Sequence, residues 1–509
     1  MRTARTQTVA LTGTTGHLVT VEASITSGLP ATVLTGLPET ALREARDRIR
    51  AAIINSGGRW PDSKITVSLS PARLPKRGSA FDLAIAIAIM TANGDLPAPP
   101  EDAMFLAELG LDGRLRPVPG VLPAVLTAAH AGISTAVVAT ADQAEAALVP
   151  GITVIATESL AQVLTWLRGG PPPDREPPWA GGDDPAPAGP QLDLADVLGQ
   201  AEARRALEIS AAGGHHLALV GPAEAGTVML AERLPTILPL LETAAALEVT
   251  SIHSVAGMLR PGTGLITDAP FAAPHHTCSR AAMMGGGSGL IRPGAVSLAH
   301  RGVLFLDQAP EFHRDVLDGL RQPLETGKAV IARASMLATF PARFTLVLTA
   351  SPCSCTATAA FGETECRCSP AARRRYLGLL SGPLPDRVDV KVSLRPPGRE
   401  ERLDRAPRER SAVVAQRVAA ARQRSAARLI GTPWRLNAEV PGAVLRRCFP
   451  PAASARKLLE RAMELGQVSE RGADRVARVA WSLADLTARD RPGPDEVSFA
   501  IGLRLGVAR

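Results

Sequence analysis

The stretch His215 to Leu234, HHLALVGPAEAGTVMLAERL, has the strand, turn and helix pattern of a phosphate-binding loop. Leu217 to Val220 is an apolar run, Gly221-Pro222 turns the chain, Gly226 permits a close backbone approach, and Met229 to Leu234 continues as helix. A working loop, G-x-x-x-x-G-K-[ST], uses its Lys to reach the β- and γ-phosphates and the following hydroxyl to hold Mg²⁺. After Gly221, Pro222, Ala223, Glu224, Ala225 and Gly226, those two positions are Thr227 and Val228. No Lys can be slid into register, because the chain has five and the nearest downstream is Lys328. Glu224 also sets a carboxylate where a triphosphate would lie, and like charges in a tight, partly desolvated loop repel. A second stretch, Gly302 to Asp307, is an apolar strand ending in a carboxylate able to order a Mg²⁺ shell. The next position, where Glu would polarise an attacking water, holds Gln308, and an amide orients a water without taking its proton.

Metal chemistry is offered by Cys353-x-Cys355 and Cys366-x-Cys368, two close pairs around a ten-residue loop. Four thiolates could close a tetrahedral structural Zn²⁺ site, with reduced thiols as the alternative, since C-x-C is tighter than the usual C-x₂-C. Cys278 and Cys448 stand alone and read as core positions. His275 and His276 lie in a Pro-flanked loop; side chains adjacent in sequence point apart, so packing is preferred to a shared ligand role. Gly285 to Gly289 is a hairpin candidate.

These residues need elements to hold them, and 509 residues suggest two or three domains. The chain is 46% hydrophobic and 21% charged, which is globular, and its net charge of +7 leans weakly toward a polyanionic partner. Aromatics at 3% argue against the base-stacking platforms used on single strands. No apolar run is long enough for a membrane span and the N-terminus has no apolar leader, so a cytoplasmic protein is expected. Residues 1–167 alternate short strands with helices such as Glu39 to Ser56 and the apolar Leu83 to Met90, an α+β domain. Residues 168–190 are dominated by Pro, Gly and acidic residues and read as a linker. An α/β core is expected over 191–395 and a helical C-terminal part over 396–509. In the stretch RSAVVAQRVAAARQRSAARL the Arg face reads as solvated, or alternatively as facing phosphates.

The segments LPKRGSAFDLAIAIAIM and ELGLDGRLRPVPGVLPAVLTAAHAGI resemble the Lon-protease-like domain that shares its fold with ribosomal protein S5. In that register the family's nucleophilic Ser and its Lys are Ala80 and Leu122, with Ser79 one residue away, so a non-proteolytic domain is implied. The order of GQAEARRALEISAAGGHHLALVGP, IHSVAGM, APHHT, GGGSG, RPGAVSLAHRGVLFLD, LSGPLPDRVDV and WRLNAEVPG resembles the magnesium-chelatase-like AAA+ proteins of the ComM/YifB family. The resemblance implies a P-loop AAA+ core with a C-terminal helical lid, ATP and Mg²⁺ as ligands, and a hexameric ring acting on DNA in recombination or transformation. It gives Ser351 the place of a polar sensor Asn, Arg387 that of an arginine finger and Arg471 that of a second sensor, and sets the Gly285 hairpin near a pore. With Thr227, Val228 and Gln308 in place, the expected protein is a pseudo-ATPase that binds DNA or co-assembles with an active relative. The alternatives are an active branch-migration helicase and, below it, a magnesium chelatase subunit.

Overall fold

The computed structural model describes residues 2–36, 39–74, 76, 78–173, 192–260, 262–287, 291–333, 336–353, 355, 368–380, 383–403, 406 and 408–506. Most of the expected linker, 174–190, lies outside the described residues.

The N-terminal part is a seven-stranded mixed sheet. Its long hairpin, Arg2–Thr12 and Thr15–Thr26, pairs antiparallel from Arg2↔Ile25 to Thr12↔Thr15. Lys64–Ser70 continues the antiparallel side, whereas Ala103–Leu106, Thr135–Ala139 and Thr153–Thr157 add in parallel. The helix Asp82–Asn93 lies against the hairpin with every residue from Asp82 to Met90 buried, which is why its sequence is apolar all round. The amphipathic helix Glu39–Asn55 packs against it.

The second sheet has five strands, all parallel, in the order Phe271–Ala272, Val303–Leu306, Thr345–Ala350, Leu217–Val220, Val390–Ser393. The helices Ser411–Arg428, Ala453–Glu464, Glu470–Leu486 and Pro494–Leu505 form a group that shares its core, Val418, Val476 and Leu483 packing in one cluster with Leu219, Val303 and Val347. Among the described residues no helix is long and apolar enough to cross a membrane.

A buried polar chain joins sheet to helices. His215 sets Nδ1 3.3 Å from Asp389 Oδ2 and Nε2 2.7 Å from the Ser482 hydroxyl. Asn437 donates to Ser482 at 3.0 Å and to Asp485 at 2.8 Å, and Arg428 donates to both Asp485 oxygens while lying over the Trp481 ring. Arg475 donates to Asp389 at 2.5 Å. Burial opposes the charge of Asp389, but the His215 hydrogen bond and Arg475 hold its carboxyl well below the usual carboxylate range.

Three sequence expectations are corrected. The arginines of Ser411–Arg428 do not form a uniformly solvated face: Arg417 pairs with Glu208 and Glu409, Arg422 donates to Ala211 O and Arg428 to Asp485, whereas Arg424 donates to Asp485 O and stays exposed. Cys448 is exposed rather than core, because it ends the short helix Gly442–Cys448, whose buried residue is Leu445; Cys278 is half-buried. The rings of His275 and His276 do not point apart but lie 4.1 Å centroid to centroid, since a turn closed by Cys278 N–H on His275 O folds them together.

The two sheets meet where the helix Thr243–Ala256 packs on Val121–His130. There Ser254 donates to Glu145, which also accepts the Leu122 N–H at 2.7 Å. Nearby Asp142 is buried, accepts the Val118 N–H at 3.2 Å, and is pushed up to about 7 by burial. A carboxyl raised in the folded state binds its proton more tightly there than in the unfolded chain, so its contribution declines as pH rises from about 4 to about 7. Asp142→Asn, which keeps the acceptor, is expected to flatten this part of the stability–pH curve by about 1.4 kcal/mol per unit of the removed shift at most. Urea unfolding from pH 4 to pH 8 on both chains checks it.

Candidate nucleotide site

Parallel register brings the three chemical stretches to one sheet edge. Val220 pairs with Ala350, and Leu306 with Leu348, so the chain leaves the sheet side by side at Gly221, Asp307 and Ser351. Gly221 N–H donates to Ala350 O at 3.0 Å, and a Cβ on Gly221 would stand 2.8 Å from Leu394 O, so the turn needs glycine. Pro222 accepts the Ala225 N–H at 3.0 Å, Gly226 takes φ +79°, and the helix Thr227–Arg233 follows. The fold of a phosphate loop is therefore built. Its side chains are of another kind: Glu224 is exposed, Thr227 is buried, and Val228 is exposed.

Asp307 is exposed beyond the fully buried strand Val303–Leu306 and accepts the Thr349 hydroxyl at 2.6 Å. The same hydroxyl accepts the Gln308 N–H at 2.8 Å. Gln308 adopts φ +50°, uncommon for a residue with a Cβ, and turns its amide oxygen onto Ser351, accepting from Ser351 N at 3.2 Å and Oγ at 3.0 Å. The base position and the sensor position are thus bonded to each other. Sequence reasoning missed Thr349; a hydroxyl inside the run TLVLTA was the available signal. It also missed Gln200, in left-handed conformation after Gly199, whose Nε2 donates to Ala225 O at 3.0 Å and Arg395 O at 2.7 Å and straps the loop to the end strand.

Arg387 donates to Glu325, and its carbonyl accepts from Arg475 at 2.9 Å. Its Nε is buried with no partner among the described residues. Arg471 is exposed at the start of the helix Glu470–Leu486, one turn before Arg475. A cleft of about 890 Å³ opens at the opposite end of the sheet, lined by His216, Arg343, Thr345, Arg422 and Trp434, and none of the loop residues borders it.

In the N-terminal part, Ala80 packs half-buried and Leu122 is fully buried. Ser79 donates to Glu108, and the buried Lys76 amine caps Pro71 O at 2.5 Å and Leu74 O at 3.3 Å. Lys76 therefore points its protons at backbone oxygens, and no Ser–Lys pair is formed among these residues. The sulfurs of Cys353, Cys355 and Cys368 lie within 4.8 Å of one another; Cys366 lies outside the described residues. Gly285 pairs antiparallel with Pro293 and Gly286 with Arg292, while 288–289, within the expected hairpin, lie outside the described residues.

Family models match the chain in three consecutive stretches: residues 21–142 to subunit ChlI of Mg-chelatase, 193–402 to magnesium chelatase subunit ChlI, and 408–504 to its C-terminal part. An uncharacterised protein of Mycobacterium tuberculosis is 49% identical over 512 residues, the whole of both chains. YifB of Escherichia coli is 40% identical over 95% of this chain and 93% of its own. The competence protein ComM of Haemophilus influenzae is 37% identical over 97% of this chain and 95% of its own. The chain belongs to the ComM/YifB family of magnesium-chelatase-like proteins. A local likeness, 29% over 162 residues, links it to Lon protease 2 of Herpetosiphon aurantiacus.

Membership in the ComM/YifB family implies use of ATP and Mg²⁺. The donors present do not fit that pair as a hydrolytic site: Asp307 could face a cation, but the loop supplies a carboxylate, a buried Thr and an exposed Val where a triphosphate needs a cation and a hydroxyl. The hydrogen bonds around Thr349 make a stability prediction for this ComM/YifB chain. Thr349→Val strands the Gln308 N–H and releases Asp307, and is expected to lower unfolding free energy by about 1–3 kcal/mol. Denaturant titration against the parent, with near-equal slopes, measures it.

Proposed function

We propose that this ComM/YifB-family chain is a pseudo-ATPase: an AAA+ frame that assembles and contacts DNA, alone or beside an active relative, in recombination of incoming DNA. The observation that carries the reading is the loop itself, whose turn geometry is kept while Thr227, Val228 and Gln308 replace its charge and proton chemistry. A triphosphate loses its direct countercharge, and charge-assisted hydrogen bonds are worth about 1.5–3 kcal/mol each. A missing carboxylate base removes roughly 10²-fold or more of rate. The link to DNA uptake rests on the name of the Haemophilus relative and on the net charge of +7.

In this proposal 1–167 is a Lon-like, non-proteolytic domain, 168–190 a linker, 191–395 the AAA+ core and 396–509 the lid, in a cytoplasmic homo-oligomer, a hexamer as in the resemblance. The Lon-like part is supported by the local match to a Lon protease, and its lack of peptidase chemistry by the capture of Lys76 on backbone carbonyls. Arg387 and Arg471 would face phosphates only in the assembled ring, Arg387 after exchanging Glu325 for them.

One observation favours the second reading, an active branch-migration motor: Asp307 and the left-handed Gly226 are both retained. ATP turnover by the full chain, with and without branched DNA, beside a Thr227→Lys, Val228→Thr, Gln308→Glu triple variant, decides between the two. The proposal expects turnover below one-hundredth of the variant's and branched-DNA binding that is independent of ATP. DNA-stimulated turnover by the parent at the variant's level would establish the motor instead.

A further inference from the structure

We infer that Cys353, Cys355 and Cys368 supply three of the four ligands of a structural Zn²⁺ ion that fixes the chain just beyond the strand Thr345–Ala350. The three sulfurs lie within 4.8 Å of one another, and those of Cys353 and Cys355 are 2.9 Å apart. A disulfide would require about 2.05 Å, so this pair is not bonded. Tetrahedral zinc with Zn–S bonds of about 2.3 Å sets its sulfurs roughly 3.8 Å apart, inside the span that holds all three, so small side-chain rotations reach it. Cys353 is 2% exposed and the other two are half-buried, an enclosed setting suited to a structural rather than an exchange site.

The donor set chooses the metal. Thiolates are soft ligands that select Zn²⁺ over the hard, oxygen-seeking Mg²⁺ and Ca²⁺. On binding, each thiol gives up its proton to solvent and its sulfur lone pair to the ion, with no change of oxidation state.

The position gives the ion its task. Cys353 stands two residues after Ser351, which donates twice to Gln308. Cys368 immediately precedes Ser369, whose side chain caps the helix Pro370–Leu377 by accepting the Ala372 N–H at 3.2 Å. A single ion therefore ties the end of the strand Thr345–Ala350 to the start of that helix. This assignment is independent of whether nucleotide binds, and metal content is read without it.

The test uses the full chain, purified without metal-affinity steps or chelators. Elemental analysis is expected to find about one zinc per chain, with less than a tenth of that in a Cys353→Ser, Cys368→Ser double variant and no loss in Cys278→Ser. Because the double variant could lose zinc by misfolding, the parent is also exchanged with Co²⁺ alone. It should then show thiolate-to-cobalt charge transfer and the intense visible bands of tetrahedral cobalt, both released by a thiol-blocking mercurial. A parent devoid of zinc whose folded-state thiols all react at once with a disulfide reagent overturns the proposal. So does iron with acid-labile sulfide, or a Cys353–Cys355 disulfide in the mass spectrum.

Discussion

The register of three parallel strands sets everything at the site. Leu217–Val220, Thr345–Ala350 and Val303–Leu306 are aligned so that each ends within two residues of its neighbour, and their pairing is enforced by buried Leu219, Val347, Leu304 and Leu306. A slip of one residue would turn those side chains to the wrong face. Given the register, Gly221 must turn under Leu394, Asp307 must emerge beside Thr349, and Gln308 must meet Ser351. Geometry at this edge is a product of core packing and does not depend on phosphate chemistry. That separation is what gives the loop its shape with Thr227 and Val228 in place of Lys and Ser/Thr.

Gln308 and Ser351 are bonded to each other. A Gln at 308 and a Ser at 351 satisfy their polar atoms mutually, leaving the amide oxygen of the base position engaged with two donors rather than presented to a water. Arg387 is likewise engaged by partners within the chain. Arg387 is bound by Glu325 and, through its carbonyl, by Arg475, which belongs to the chain of polar contacts from Asp389 and His215 to Ser482, Asn437 and Asp485. Breaking a buried ion pair of this kind costs about 3–5 kcal/mol, so the helical group is held to the sheet by polar contacts as well as by its shared core.

What the sequence made legible was local. Leu217 to Leu234, Gly302 to Asp307 and the apolar helix around Ile85 announce themselves through periodicity and glycine placement within a few residues, and the structure forms them within one to three residues of the expected bounds. What it hid was long-range. Thr349, Gln200 and Asp389 act on partners dozens to hundreds of residues away, which no short window contains. The helix Ser411–Arg428 shows the limit most clearly: its spacing correctly gave a helix, but a stripe of arginines carries no information on whether Glu208 and Asp485 will stand opposite. Cys448 misled for a related reason, since hydrophobicity alone says nothing about a side chain at the end of a two-turn helix.

The central proposal is that the loop, with Thr227 where a Lys would stand, does not bind a triphosphate. It is tested most directly by equilibrium binding of a non-hydrolysable ATP analogue with Mg²⁺ to the parent and to the single Thr227→Lys variant, since one cation is then the only change. The account predicts no saturation of the parent at millimolar analogue and an affinity at least tenfold higher in the variant. Equal, saturable binding by both chains would contradict it.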